Sequence, residues 1–246
     1  ARASKKFNIL YSNTEVLRSA LYGRDAKPDV RRRFPDPAPV AREAATIIER
    51  ALVYCQESYG SGEQIESALL DYLLPGRGVV RIEYEPVIGS RPMIAPQGMP
   101  VLDENGESAQ EEFIADQKLM ERYVFWEDFI HPAVRSWDKL DWIGFRHTFS
   151  RRELEDEIFA KAPATSQVEG DAASVPLNWS PDPGDTKIGD DQKKAEVWEI
   201  WDKVERRRLW AVRGHSVMLR IDEDPYGLEG FFPMPKPLAS YATNDT

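Results

Sequence analysis

Apolar positions in the first third of the chain recur at helical spacing. Ile9, Leu10, Val16, Leu17, Ala20 and Leu21 share one side of a predicted helix. Gly23 is placed to end it in a left-handed conformation. Ser12 and Glu15 have capping-box spacing, so the pattern also fits a start at Ser12, with Ile9 and Leu10 in the approach. A longer helix is predicted after Pro39, carrying Val40, Ala44, Ile47, Ile48, Ala51, Leu52 and Cys55 on one side and stopping at Gly60. Ser61 and Gln64 offer a capping box for a third helix through Ile65, Leu69, Leu70 and Leu73, closed by Pro75 and Gly76.

After Gly78 the period becomes two. Val80, Ile82 and Tyr84 alternate with Val79, Arg81 and Glu83, which predicts a half-buried strand ending at Pro86. Residues 87–118 are polar with Gly and Pro, and read as an insertion or an extended hairpin tip. Strand signals return at Arg122–Trp126 and at Trp142–Phe149, where Ile143, Phe145, His147 and Phe149 share a face. Ser150 and Glu153 cap a short helix bearing Leu154, Ile158 and Phe159. Residues 160–194 read as a surface loop rich in Pro, Gly, Asp and Ser. Three short strands close the series, Ala195–Asp202, Arg208–Arg213 and Val217–Asp222, with turns short enough for antiparallel pairing. In the first of them Trp198 and Ile200 point one way, Val197 and Trp201 the other, so both faces are expected to be covered.

The pattern predicts an α+β fold, with N-terminal helices packed on a mostly antiparallel β-rich region. Its expected divisions are a helical segment 1–75, a β-rich part 76–222 with long loops near 87–118 and 160–194, and a Pro/Gly-rich exit 223–246.

Composition narrows the function classes. The 246 residues suffice for one large domain or two small ones, and 30% charged with 41% hydrophobic residues is a globular balance. A net charge of −10 disfavours sequence-independent gripping of DNA, which needs surplus Lys and Arg. Cys55 is the only cysteine, which excludes an intrachain disulfide and a cysteine zinc cage; its apolar surroundings predict a buried small hydrophobe. No apolar run approaches the roughly 20 residues of a membrane span, and no membrane partner is expected. The start at Ala1 without Met and the end at Thr246 are read as those of an excerpt, expected to be monomeric by itself.

His131, His147 and His215 are far apart in sequence and none lies in a two-histidine helical motif, so no metal and no cofactor are expected; His147, in register with Phe145 and Phe149, reads as a packed sheet histidine. Leu74-Pro-Gly-Arg-Gly78 leads into a strand and lacks the Gly-Lys-Ser/Thr ending of a phosphate loop. Acids lie among aromatics at Trp126-Glu-Asp128 and at Glu196, Glu199 and Asp202 beside Trp198 and Trp201. Glycosidases use such acid pairs, yet acids flanking strand tryptophans also make solvated edges. Arg31, Arg32 and Arg33, near Arg24 and Lys27, form the clearest basic cluster, open to contact with DNA, to contact with acidic surface on an adjacent subunit, or to a solvated linker. Trp179, in the polar stretch Asn178–Pro183, is the aromatic candidate for a subunit contact, with folding back onto its own domain as the alternative.

Several segments, in order, resemble the portal protein (head-to-tail connector) of short-tailed bacteriophages. They are Asn8–Leu17 with Ala20–Tyr22, Asp71–Gly78 leading into Arg81–Pro86, Trp126–Phe129, Trp137–Trp142, Glu196–Lys203 and Leu228–Pro235. The resemblance covers most of the chain outside the two loop regions. It implies the N-terminal part of the wing of a non-enzymatic ring subunit, usually dodecameric, at a capsid vertex of the virion. It further implies a conduit for double-stranded DNA, docking to terminase, capsid and tail proteins, and a Pro-rich exit towards a stem that this sequence does not contain. A carbohydrate-active or carbohydrate-binding domain built on the tryptophan–carboxylate clusters is the alternative expectation, and an acidic interaction domain the third.

Overall fold

Three helices precede all the strands in the computed structural model, which describes residues 8–32, 39–94, 108–134, 136–160, 162, 166–168, 175–180, 193–227 and 230–239. Helices and antiparallel sheets each take about a third of the chain, about 33% and 35%, so the fold is α+β. Helix α1 (Ile9–Leu21) begins before Ser12 because the Asn8 side chain accepts the Tyr11 N–H at 3.1 Å. It closes at Tyr22 with φ −133°, and Gly23 is not among the residues of positive φ. The expected glycine cap is thus corrected: the Tyr22 N–H returns to the Arg18 carbonyl and ends the helix without it.

Helix α2 (Pro39–Ser58) stops where predicted, with Gly60 at φ 65°. Helix α3 (Ser61–Leu73) begins at Ser61, but the expected capping box gives way to tertiary bonds. The Ser61 hydroxyl donates to the Glu121 carboxylate, and the Gln64 amide oxygen accepts the Tyr123 N–H at 2.9 Å. Gly76 then turns the chain at φ 89°, its N–H bonded to the Asp71 carbonyl at 3.0 Å.

Strand β1 (Arg77–Pro92) runs through Pro86, where the sequence predicts an end, and β2 (Gln110–Val124) starts inside the predicted 87–118 loop. The two are neighbours in a three-stranded sheet of order β2-β1-β8, where β8 is Leu238–Ala239. Among the described residues strand β8 pairs with Arg77 and Gly78. Beyond that pairing no described strand lies along this edge of β1, the situation in which a strand tolerates proline.

The second sheet has the order β3-β4-β5-β6-β7, all antiparallel: β3 (Phe129–Ile130), β4 (Trp142–Phe149), β5 (Ala195–Asp202), β6 (Arg207–Ala211) and β7 (Met218–Glu223). Between β4 and β5 lies α4 (Arg151–Leu154), which continues as a π turn over Glu155–Ala160. Here the capping box forms as predicted: Glu153 N–H to Ser150 Oγ at 3.4 Å, and Ser150 N–H to Glu153 Oε2 at 2.8 Å. That hydrogen bonding holds the Glu153 carboxyl below its ordinary value.

Register decides what this sheet buries. Phe129 pairs with Phe145, which pairs with Glu199, which pairs with Trp210. Ile143 likewise pairs with Trp201, and Trp201 with Arg208. One face therefore carries most of the core. Phe129, Ile143, Phe145 and Trp201 join Val79, Leu140, Phe232 and Met234 in one buried cluster; Leu154, Ile158, Val197, Trp210, Val212 and Leu219 form another. The other face of β5 is only partly covered, with Trp198 and Ile200 half-buried, so the expectation of two closed faces holds for one alone. On that face Gly144 is required by space, since a Cβ there would sit 2.9 Å from Ile130 Cγ1.

The chain forms two compact units that cut across its linear order: residues 1–70 with 80–123, and 71–79 with 124–246. The hairpin of β1 and β2 belongs with the helices. Within the stretch expected as an exit, Phe232 and Met234 enter the core of the second unit.

Candidate functional site

In the first unit, helices α1 and α2 turn their apolar sides outward. Of the α1 residues, Thr14 is the buried one, with Ser12, Glu15 and Arg18 half-buried on the same inward side. Arg18 reaches Glu15 at 2.8 Å and Glu66 of α3 at 3.8 Å. Ile9, Leu10, Tyr11, Val16, Leu17 and Leu21 are exposed, each by half or more. Helix α2 repeats the inversion and has no buried residue. Its half-buried positions include Ala41, Ala45, Glu49 and Val53, whereas Val40 is 75% and Ile47 66% exposed, with Ile48 and Tyr54 beside them. The predicted apolar stripe is real, but it faces water; Leu52 and Cys55 are half-buried at its edge, so Cys55 is not the fully buried residue expected. Helix α3 behaves conventionally, burying Ala68 and Leu69. An amphipathic helix normally hides such a stripe, and contiguous exposed apolar surface marks contact with another molecule.

Beside these helices the chain makes an open cavity of about 240 Å³, lined by Tyr22, Asp25, Lys27, Val53, Glu57 and Ile65 among others. The Tyr22 hydroxyl donates to Asp25 at 2.6 Å. Burial, together with that bond and the Asp25 charge, pushes the phenol up to about 12.

The predicted basic cluster is solvent-facing where it is described. Arg31 donates to Asp29, Nη2 to Oδ2 at 2.6 Å, and Arg32 is exposed; Arg33 lies outside the described residues. Trp179 is half-buried, with the Arg151 guanidinium 4.7 Å above its ring, so part of the ring is engaged within its own chain.

The acid–tryptophan clusters resolve into separate structural roles because strand register divides them. Glu196 and Asp128 both meet Arg146, at 3.4 and 2.6 Å. Asp202 accepts the N–H groups of Val204 and Glu205 at 2.8 and 2.9 Å, closing the β5–β6 turn. Glu199 points inward and is 1% exposed, correcting its reading as a solvated edge; it meets His147 Nε2 at 2.8 Å and accepts from Trp201 Nε1 at 3.0 Å. His147 stacks on Phe149, as a packed sheet histidine should. His131 is held near the Pro132 carbonyl at 2.8 Å.

Next to Glu199, Asp222 is 2% exposed and joins two guanidiniums: Arg208 Nη2 at 2.7 Å and Arg220 Nη2 at 2.8 Å. Ser166 donates to its other oxygen at 2.6 Å. Burial pushes the Asp222 carboxyl up, but the bonds from Arg220 and Ser166 and the nearby Arg208 outweigh it, so it titrates below its ordinary value. Arg220 also donates to the carbonyls of Glu157 and Ile158 at 2.7 and 3.0 Å, tying β7 to the π turn. Composition gave no sign of this buried network. The available signal was the period-two placement of Glu199, Arg208, Arg220 and Asp222 in line with buried aromatics, and it becomes readable only once the strands are paired.

Among the described residues no group of His, Cys, Asp and Glu is arranged to hold a metal ion, and no helix is long and apolar enough to cross a membrane. The chain matches no protein-family model and no curated protein.

Proposed function

We propose that this chain is a structural, non-enzymatic subunit of a phage portal ring, set at a capsid vertex of the virion. Such a ring would serve as a conduit for double-stranded DNA during packaging and ejection, and as a docking platform for terminase and tail components. The observation that carries the reading is the outward apolar side of α1 and α2, with ten large side chains from Ile9 to Tyr54 left in water. A subunit walled by identical neighbours needs such surfaces, whereas a self-sufficient monomer is destabilised by them. The ordered motifs that resemble portal proteins add to it. A net charge of −10 suits a wall that DNA slides past without sticking. Of the carboxylates that suggested sugar chemistry, Asp128 and Glu196 pair with Arg146, Asp202 closes a turn and Glu199 lies in the buried network.

Electron microscopy and mass photometry of the protein at assembly concentrations test this. Rings of constant copy number around a central hole are expected. A monomer at all concentrations, or one whose melting temperature rises with oligosaccharide, overturns the proposal.

A further inference from the structure

Strand β2 is the outer strand of its sheet, with β1 on one side and no described strand on the other. Its backbone bonds show which groups face the open side. The Gln117 N–H donates to the carboxylate of the neighbouring Asp116 at 2.8 Å, and further along the Tyr123 N–H goes to the Gln64 side chain of α3 at 2.9 Å. Odd-numbered residues of this stretch therefore turn their N–H groups away from β1, as alternate residues of a strand do. Helix α3 meets the edge at Tyr123; from Gln110 to Met120 no described element bonds to it. Such a row of backbone groups is a template for another strand. Along β1, Pro86 and Pro92 cannot donate to an added strand, whereas β2 has no proline in its 15 residues.

The order of side chains on β2 selects the strand that fits it. Reversed on itself about Gln117, β2 sets Asp116 against Lys118, Ala115 against Leu119 and Ile114 against Met120, with Gln117 opposite its own copy. Acid meets base and apolar meets apolar, and opposed residues share a sheet face, as antiparallel pairing demands. Moving the centre by one residue sets Asp116 against Asp116, or Lys118 against Lys118, so charge also fixes the register. The side chains are accessible: Ile114, Ala115, Asp116, Gln117 and Leu119 are exposed. Lys118 reaches Glu85 at 3.8 Å and keeps 37% of its side chain in solvent. We infer that β2 is a dimerisation edge: two copies join their β2 strands antiparallel across a two-fold axis at Gln117, making one continuous sheet. There the Gln117 N–H passes from Asp116 to the Gln117 carbonyl of the second copy, and Asp116 turns to Lys118 of that copy. The contact is isologous and closes on two copies. Neighbours around a ring are related by a repeated rotation, so this contact is separate from the function proposed above and does not rest on it.

Analytical ultracentrifugation of the full chain tests it. The wild type should dimerise reversibly. Gln117→Pro removes an N–H that makes no bond to β1, so circular dichroism and melting should be unchanged while the dimer dissociates about ten-fold more readily or beyond. Asp116→Lys opposes Lys with Lys and Lys118→Asp opposes Asp with Asp, so each alone should be monomeric where the wild type is dimeric. Mixed, these two variants should form a heterodimer, and both substitutions in one chain should restore the homodimer. A swap that restores nothing overturns the two-fold register, as does a Gln117→Pro chain that dimerises like the wild type, or a wild type that never dimerises. Rings that form with no Gln117-dependent dimer would sink this contact and spare the ring; two-fold dimers that never grow further would keep the contact and sink the ring.

Discussion

The two compact units treat amphipathic segments in opposite ways. The second unit closes its sheet over a dense apolar cluster and also seals in Glu199, Arg220 and Asp222, each below 4% exposure. The first unit leaves most of the apolar side of α1 and α2 in water while Thr14 and Arg18 turn inward. Its hairpin is similarly open, with Val87, Ile88, Ile94 and Ile114 among its exposed residues. The contrast separates self-sufficiency from readiness for a partner. A unit that buries charges must satisfy each of them internally. One that exposes apolar stripes is complete only when another surface covers them.

The largest expected effect lies in the sealed unit. Asp222→Asn leaves Arg220 without its buried counter-charge and Arg208 with Glu199 alone, 3.7 Å away, and should cost about 3–5 kcal/mol in urea titration. Because the folded-state pKa of Asp222 is depressed, its contribution is present above the ordinary value of 3.8. It is lost as the pH falls through the lower folded value, and the variant should lack that part of the acid transition. A loss below 1 kcal/mol would show the network to be dispensable.

The comparison is sharpened by one deletion in each unit. Phe145→Ala, at a side chain 1% exposed, should cost about 3–5 kcal/mol. Ile47→Ala should shift monomer stability by no more than about 0.5 kcal/mol while weakening assembly seen by light scattering. Equal losses of stability in both would mean that α2 is buried in the isolated chain. Ser150→Ala, which removes the cap of α4, should cost about 1 kcal/mol in the second unit. Smallest of all, replacing Arg31, Arg32 and Arg33 together by Ala should leave the melting curve unchanged and loosen assembly. Unaltered assembly would assign these arginines to a solvated linker.

Local chemistry made much of the fold legible. The spans of β4 and β5 match their period-two patterns, and α4 opens on the capping box that Ser150 and Glu153 announce. Where a local signal failed, a distant partner had claimed the same atoms. Ser61 and Gln64 have the spacing of a cap, yet they bond Glu121 and Tyr123, 60 and 59 residues away. Pro86 should end a strand, but among the described residues β1 has no neighbour on that edge beyond its short pairing with β8. The candidate site was legible in half. The apolar stripes of α1 and α2 stand in the sequence, while their outward direction does not.

The sequence by itself determined the periodicities, and with them the helices, most of the strands and the α+β class, because side-chain direction follows from backbone geometry over a few residues. The tertiary structure decided which face of each element meets protein and which meets water. Pairing β5 with β4 and β6 put Glu199 beside His147 in the interior, where it also accepts from Trp201, and packing polar sides inward turned the stripes of two helices out. Those outcomes depend on contacts between residues tens of positions apart, whose free energies outweigh any local preference and leave no trace in the local pattern.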